Sequence, residues 1–266
     1  MQWPWVILLL TLSTVLFSSC YERIEGCLDM NAVNFNPLAD DPCCCNYPSL
    51  NFQLQHRFGA DSIRFFQDSA YLLESGISFK ILSLELMADK LELTDIAGGK
   101  VEVEERIDFP DGKVMNCPCV DDVIAINLNS LNTSPGTVSQ SGSYSSISLY
   151  TGLAETWSDA LPSDFPQAHP LINEVRFDEE RSLFHHLRAT IVFPEVGDTI
   201  VFRSSNLREQ IVFTGPFELK RGQNTTFRLM IDYQKWFKGL EEVVSEPHLL
   251  EALLKENLAS AFSVSQ

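Results

Sequence analysis

The sequence predicts a mainly β protein, an antiparallel β-sandwich with a C-terminal amphipathic helix. Two observations carry this. Between Ser49 and Tyr233, short stretches alternate apolar and polar residues at a period of two and are punctuated by Gly, Pro, Asn and Ser, which is how half-buried strands joined by turns are written. After Tyr233 the period changes, and Leu249, Leu250, Leu253, Leu254, Leu258 and Phe262 recur at helical spacing to give one apolar face.

The chain opens with an export signal. Trp3 to Phe17 is uncharged and apolar, too short to cross a bilayer comfortably, and is followed by small residues. Phe17-Ser18-Ser19-Cys20 resembles a bacterial lipobox, which makes Cys20 the lipidated first residue after residues 1–19 are removed. No Lys or Arg precedes the apolar core, so an ordinary secretory signal or a short anchor are the alternatives. The expected location is the bacterial cell envelope, with the membrane as partner through a lipid on Cys20. Six cysteines remain: Cys27, Cys43, Cys44, Cys45, Cys117 and Cys119. In an oxidising compartment all six are disulfide candidates.

Residues 20–48 form a Cys-rich module. Its run from Cys27-Leu28-Asp29 through Ala32, Asn34-Phe35-Asn36-Pro37 to Cys45-Asn46-Tyr47 is similar to a short Cys-x-Asp-x-x-Ala-x-Asn-aromatic-Asn-Pro…Cys-x-Tyr module of secreted and surface proteins in Bacteroidetes-type bacteria. The resemblance implies a Cys27–Cys45 disulfide. Oxygens of Asp29, Asn31, Asn34, Asn36, Asp40 and Asp41 could hold calcium, or the same residues could serve turns. Cys43, Cys44 and Cys45 with Cys117 and Cys119 read either as a disulfide tie to the 117–119 loop or as a thiolate metal cluster.

Residues 49–266 carry the sandwich. Strands are expected at Leu50–His56, with His56 on the polar, solvated face, at Ile77–Leu86, at Lys90–Leu93 and, after a turn at Gly98-Gly99, at Lys100–Glu104. Val123–Leu128 is another. Asn129 to Ser143, rich in Ser, Thr, Gly and Pro, reads as a loop. Ile147–Tyr150, Leu187–Phe193, Thr199–Arg203, Gln210–Glu218 and Thr225–Tyr233 complete the sheets. Trp157 and Trp236 read as core aromatics, and His248 as a surface residue.

Function is less clear from residue types. A formal net charge of −17 argues against nucleic acid as a partner, because phosphate recognition needs a basic footprint. No nucleophile elbow, zinc-protease helix, phosphate loop or dinucleotide fingerprint is present, so no enzymatic activity is expected. Three of the five histidines fall between Ile147 and Phe193. His185 and His186 are adjacent and, in a strand, point to opposite faces, so one of them with His169, helped by Asp178 or Glu179, is the more plausible pair for copper or zinc.

Gly76-x-Ser78-Phe79…Leu93, the Gly152 segment, His169-Pro170-Leu171, Phe184-His185-His186-Leu187 and the ending Asp232-Tyr233-Gln234-Lys235-Trp236-Phe237 resemble the MbnP-like family, named for a copper-binding protein. The resemblance implies a periplasmic or surface β-sandwich that binds copper through histidine and an oxidised tryptophan. His186 matches the family's histidine before a strand and His185 the aromatic position beside it, so His186 is the expected main ligand, with His169 and His185 as second choices. The interval Ile172 to Ser182, where family members carry a Trp-rich run, has no tryptophan here. The expected role is copper acquisition or handling; the alternative is a metal-free surface interaction or structural lipoprotein with an unidentified protein partner.

Overall fold

Alternating side chains can bury one face of a strand only against a second layer, and two sheets packed face to face supply it here. The computed structural model describes residues 22–59, 63–103, 105–106, 120–195, 197–243 and 246–266. The segment expected to be an export signal, Cys20, Cys117 and Cys119 lie outside them. In chain order the principal strands are β1 (Ser49–Phe58), β2 (Ser78–Asp95), β3 (Ile124–Asn127), β4 (Asn132–Thr137), β5 (Gly142–Thr151), β6 (Leu187–Phe193), β7 (Asp198–Ser204), β8 (Gln210–Leu219), β9 (Thr225–Asp232) and β10 (Phe262–Ser265). Helices α1 (Tyr233–Trp236), α2 (Leu240–Val243) and α3 (Leu250–Ala261) fall between β9 and β10.

The larger sheet runs β7-β6-β2-β5-β8, with β3 and two shorter strands also paired to β2, and every ladder is antiparallel. The smaller sheet runs β4-β1-β9-β10. Within it β1 and β9 pair in parallel, Leu50 opposite Thr225 through Arg57 opposite Asp232. A parallel pair needs a long crossover, and here the whole larger sheet is that connection. Leu50, Phe52, Phe79, Ile81, Phe193, Phe227 and Leu229, all fully buried, fill the space between the layers.

Three expectations are corrected. Ile77–Leu86 and Lys90–Leu93 belong to one continuous strand, β2, bent at an irregularity where Lys90 takes φ 51°. Asn129 to Ser143 contains β4: its backbone pairs with β1 across a bulge, and Pro135 and Gly136 are buried despite their turn-like character. His56 is not on a solvated face. It is 8% exposed, its Nε2 lies 3.3 Å from the Ser130 carbonyl oxygen, and its Nδ1 lies 2.8 Å from the Tyr233 hydroxyl. Since the carbonyl can only accept, Nε2 donates and Nδ1 accepts from Tyr233. Tyr233→Phe leaves that nitrogen buried and unpaired, so a loss of about 1–3 kcal/mol is expected in urea unfolding; an unchanged midpoint would show that the bond contributes nothing.

The helical tail caps one end of the sandwich as the pattern implies. Asp232 accepts from the amides of Gln234 and Lys235 to start α1. Leu250, Leu254 and Leu258 of α3 are fully buried, and the Trp236 indole N–H donates to the Leu254 carbonyl at 3.2 Å.

In the module, Cys27 is bonded to Cys45, as the resemblance implies, and Cys43 to Cys44. Cys117 and Cys119, the other partners in the expected tie, lie outside the described residues. Several of the oxygens considered for calcium accept hydrogen bonds within the module. Asp29 accepts from the Asn31 amide and the Tyr47 hydroxyl, Asn36 from the Leu38 amide, Asn34 from the Asn46 amide, and Asp40 from the Ile24 amide.

Candidate ligand cavity at the end of the sandwich

Residues 152–186 leave the larger sheet after β5 and return at β6, folding as short 3-10 turns and a small hairpin, Phe177–Asp178 with Leu183–Phe184. This excursion covers the outer face of β2 with a second apolar cluster that includes Met87, Leu153, Trp157, Phe165, Leu171 and Phe184. Between it and the turn after β7 lies a cavity of about 300 Å³ lined by Leu153, Trp157, Phe184, His186, Asn206 and Arg208, among others. That is the lower end of the size range of small-molecule sites.

His186 is placed by backbone bonds. Its N–H donates to Ser204 at 2.6 Å and its carbonyl accepts from Met87 at 2.8 Å, so it extends β6 between β2 and β7. The imidazole Nδ1 is buried without a full hydrogen bond, and the Leu207 carbonyl lies beside the ring. A carbonyl can only accept, and on that ground we assign the proton to Nδ1, leaving the Nε2 lone pair to the cavity. Burial first, then the Arg208 guanidinium and His185, push the His186 pKa down to about 4. The ring is therefore neutral at pH 7. Gly152 makes room for it: at φ 78°, with its amide bonded to Met87, any Cβ there would overlap both His186 Nδ1 and the Leu207 oxygen.

Arg208 is held by Asp89, Nη1 to Oδ1 at 2.9 Å, and lies over the Tyr150 ring at 5.0 Å. Asp89 also accepts from the Ala154 amide at 2.5 Å, pinning the start of the excursion to the sheet. Although Arg208 pulls the other way, burial raises the Asp89 pKa. Asp122, nearby, accepts from the Leu91 amide at 2.5 Å. Its pKa is raised to about 7, by burial first and then by the like charges of Asp89 and Asp121.

The three histidines do not share the cavity; of them only His186 lines it. His169 is 6% exposed and structural: Nδ1 accepts from the Leu171 amide at 3.1 Å, Nε2 lies 2.9 Å from Asp121 Oδ2 but off the line of a straight hydrogen bond, and the ring stacks on Phe165 at 4.4 Å. His185 is buried just before β6 and is not part of the cavity lining. There Arg188 and Arg203 join burial in holding its pKa low, while Asp178 acts against them. Among the described residues no three His, Cys, Asp or Glu side chains converge as a metal centre. Trp157, buried as expected, also forms cavity wall, and His248 is exposed.

Sequence reasoning missed Arg208, Asp89, Asp122 and the role of Gly152. Its available signal was polarity in the wrong place: Asp89-Lys90 interrupts an apolar run, and Asp121-Asp122 directly precedes Val123-Ile124.

Fold and cavity together define a class: a mainly β, two-sheet sandwich with a ligand-sized cavity under a long excursion at one end. No protein-family model matches the chain, and no curated protein matches it in sequence. Among solved structures it is similar to MbnP from Methylosinus trichosporium, at 13% identity and a TM-score of 0.45, over 71% of this chain and 77% of that one.

Proposed function

We propose that this chain is a lipid-anchored protein of the bacterial envelope that binds a small ligand in the cavity beside His186, acting by binding rather than by catalysis. The observation that carries it is the place of His186 in the cavity wall with Nδ1 covered; a pKa lowered to about 4 keeps the ring neutral, and the tautomer assigned above leaves the lone pair on Nε2. Lone-pair nitrogen suits a borderline or soft transition metal, and copper is the first ion to test. The described residues supply one such ligand and no closed three-residue set. A copper ion held here would need at least one ligand from outside the described His, Cys, Asp and Glu side chains to reach three. Anchoring rests on Cys20 and the apolar segment before it.

The test is a copper titration of the purified protein at pH 7, with zinc and calcium as comparators. Stoichiometric copper binding is expected, weakened by about tenfold or more in His186→Ala and unchanged in His248→Ala. Equal affinity in wild type and His186→Ala sinks the ligand assignment. The size and lining of the cavity favour a second reading, an organic ligand whose apolar part contacts Trp157 and Phe184 and whose polar part meets Arg208 and Asn206. That reading is selected if copper does not bind.

A further inference from the structure

The Cys-rich module and the cavity sit at opposite ends of the sandwich. Asn31 of the module accepts from Ser141 Oγ at 2.7 Å through its side chain and from the Gly222 amide at 3.2 Å through its backbone. Both donors belong to the end where β5 begins, Gly142 opposite Leu219. The cavity lies beyond the other end of β5, after Thr151. Ten residues of strand separate the two, about 30 Å at 3.3 Å per residue.

On the module, several large apolar side chains have no cover. Leu38 is 74% exposed, and Ile24, Leu28 and Phe35 are exposed as well. The segments carrying Ile24 and Leu38 are tied together: the Asp40 amide donates to the Ile24 carbonyl, the Ile24 amide donates to Asp40 Oδ2, and Leu38 follows on the Asn36 turn. Ile24 is four positions from Cys20, a reach of at most about 14 Å in extended chain. A lipid on Cys20 therefore holds these side chains against a bilayer surface. Charge narrows the surface further: Glu22, Glu25, Asp29, Asp40 and Asp41 outweigh Arg23, so anionic headgroups are repelled and zwitterionic ones are not.

We infer that the module is a membrane foot: Ile24, Leu28, Phe35 and Leu38 sit in the interface of a zwitterionic leaflet, and the cavity opens about 30 Å away on the side that faces away from the membrane. No helix among the described residues is long and apolar enough to cross a bilayer, so the contact is interfacial. The inference rests on the anchoring proposed above, and the test separates the two.

The full chain, processed in a bacterial host, is reconstituted in phosphatidylcholine vesicles containing phospholipid with a diazirine on its acyl chain. After photolysis, peptide masses report both acylation of Cys20 and carbene adducts. The expected result is acylated Cys20 with adducts on the 22–38 peptide exceeding those on the peptide containing Trp157 and His186 by about fivefold, and a severalfold loss of module adducts in Leu38→Asp. Acylated Cys20 with an unlabelled module, or with labelling at least as strong around Trp157, overturns the orientation while leaving the anchor in place. An unacylated Cys20 overturns the anchoring reading and the inference with it.

Discussion

Gly152→Ala is expected to cost about 2–4 kcal/mol of stability, or to fold with His186 displaced and lose more than tenfold in cavity binding. Two effects combine. The residue sits at φ 78°, where an L side chain is strained by roughly 1–2 kcal/mol. Added to this, the new Cβ would overlap Leu207 O, a backbone atom with little freedom to move, and His186 Nδ1. Gly76→Ala is the control, since its φ is 83° but nothing lies within 4 Å of its Cβ. It should show only the first effect, about 1 kcal/mol. Urea unfolding of both variants measures the difference, and equal losses would show that no cradle for His186 exists.

The second large effect concerns Asp122. Its pKa in the fold is about 7, against an ordinary 3.8, so the folded protein holds this proton where the unfolded chain releases it. The associated stability is full below pH 4 and is lost as pH rises from about 4 to 7, with an upper bound on the order of 4 kcal/mol. His186 acts in the opposite sense: its depressed pKa makes the fold lose stability as pH falls from about 6.5 to 4. The informative quantity is therefore the difference between wild type and Asp122→Asn. The variant cannot ionise and keeps an acceptor for the Leu91 amide, so at pH 8 it should be about 2 kcal/mol more stable than wild type, with the advantage gone at pH 4. A constant difference across that range would mean that Asp122 ionises normally in the fold.

Much of the scaffold was legible because its signals are local. Leu187–Phe193 forms as a strand with the bounds its alternation implies, and the leucines spaced along Leu250–Ala261 mark a helix whose apolar face is buried. What escaped is non-local. Asn132–Thr137 is a strand because β1 offers it a ladder, whatever its own composition prefers. His56 alternates onto what looks like the polar face, yet the tail returns Tyr233 to meet it, 177 residues on in sequence.

The site divides in the same way. His186 stood out as an imidazole beside a strand, and the structure does give it a cavity. His169 and His185, equally visible as residue types, lie outside the cavity lining: one meets Asp121 and the Leu171 amide, the other sits buried among arginines. Arg208 and Asp89 are 119 positions apart, and only the β2-β5-β8 pairing makes them an ion pair beside the cavity.

The central claim is that His186 is a neutral imidazole presenting Nε2 to the cavity. Nitrogen-15 NMR of the histidine rings, assigned with His186→Gln, tests it most directly. The expected result is a ring in the Nδ1–H tautomer that stays neutral from pH 8 down to about 5 and titrates near 4. Titration near 6.5, or a proton on Nε2 at neutral pH, would contradict the account.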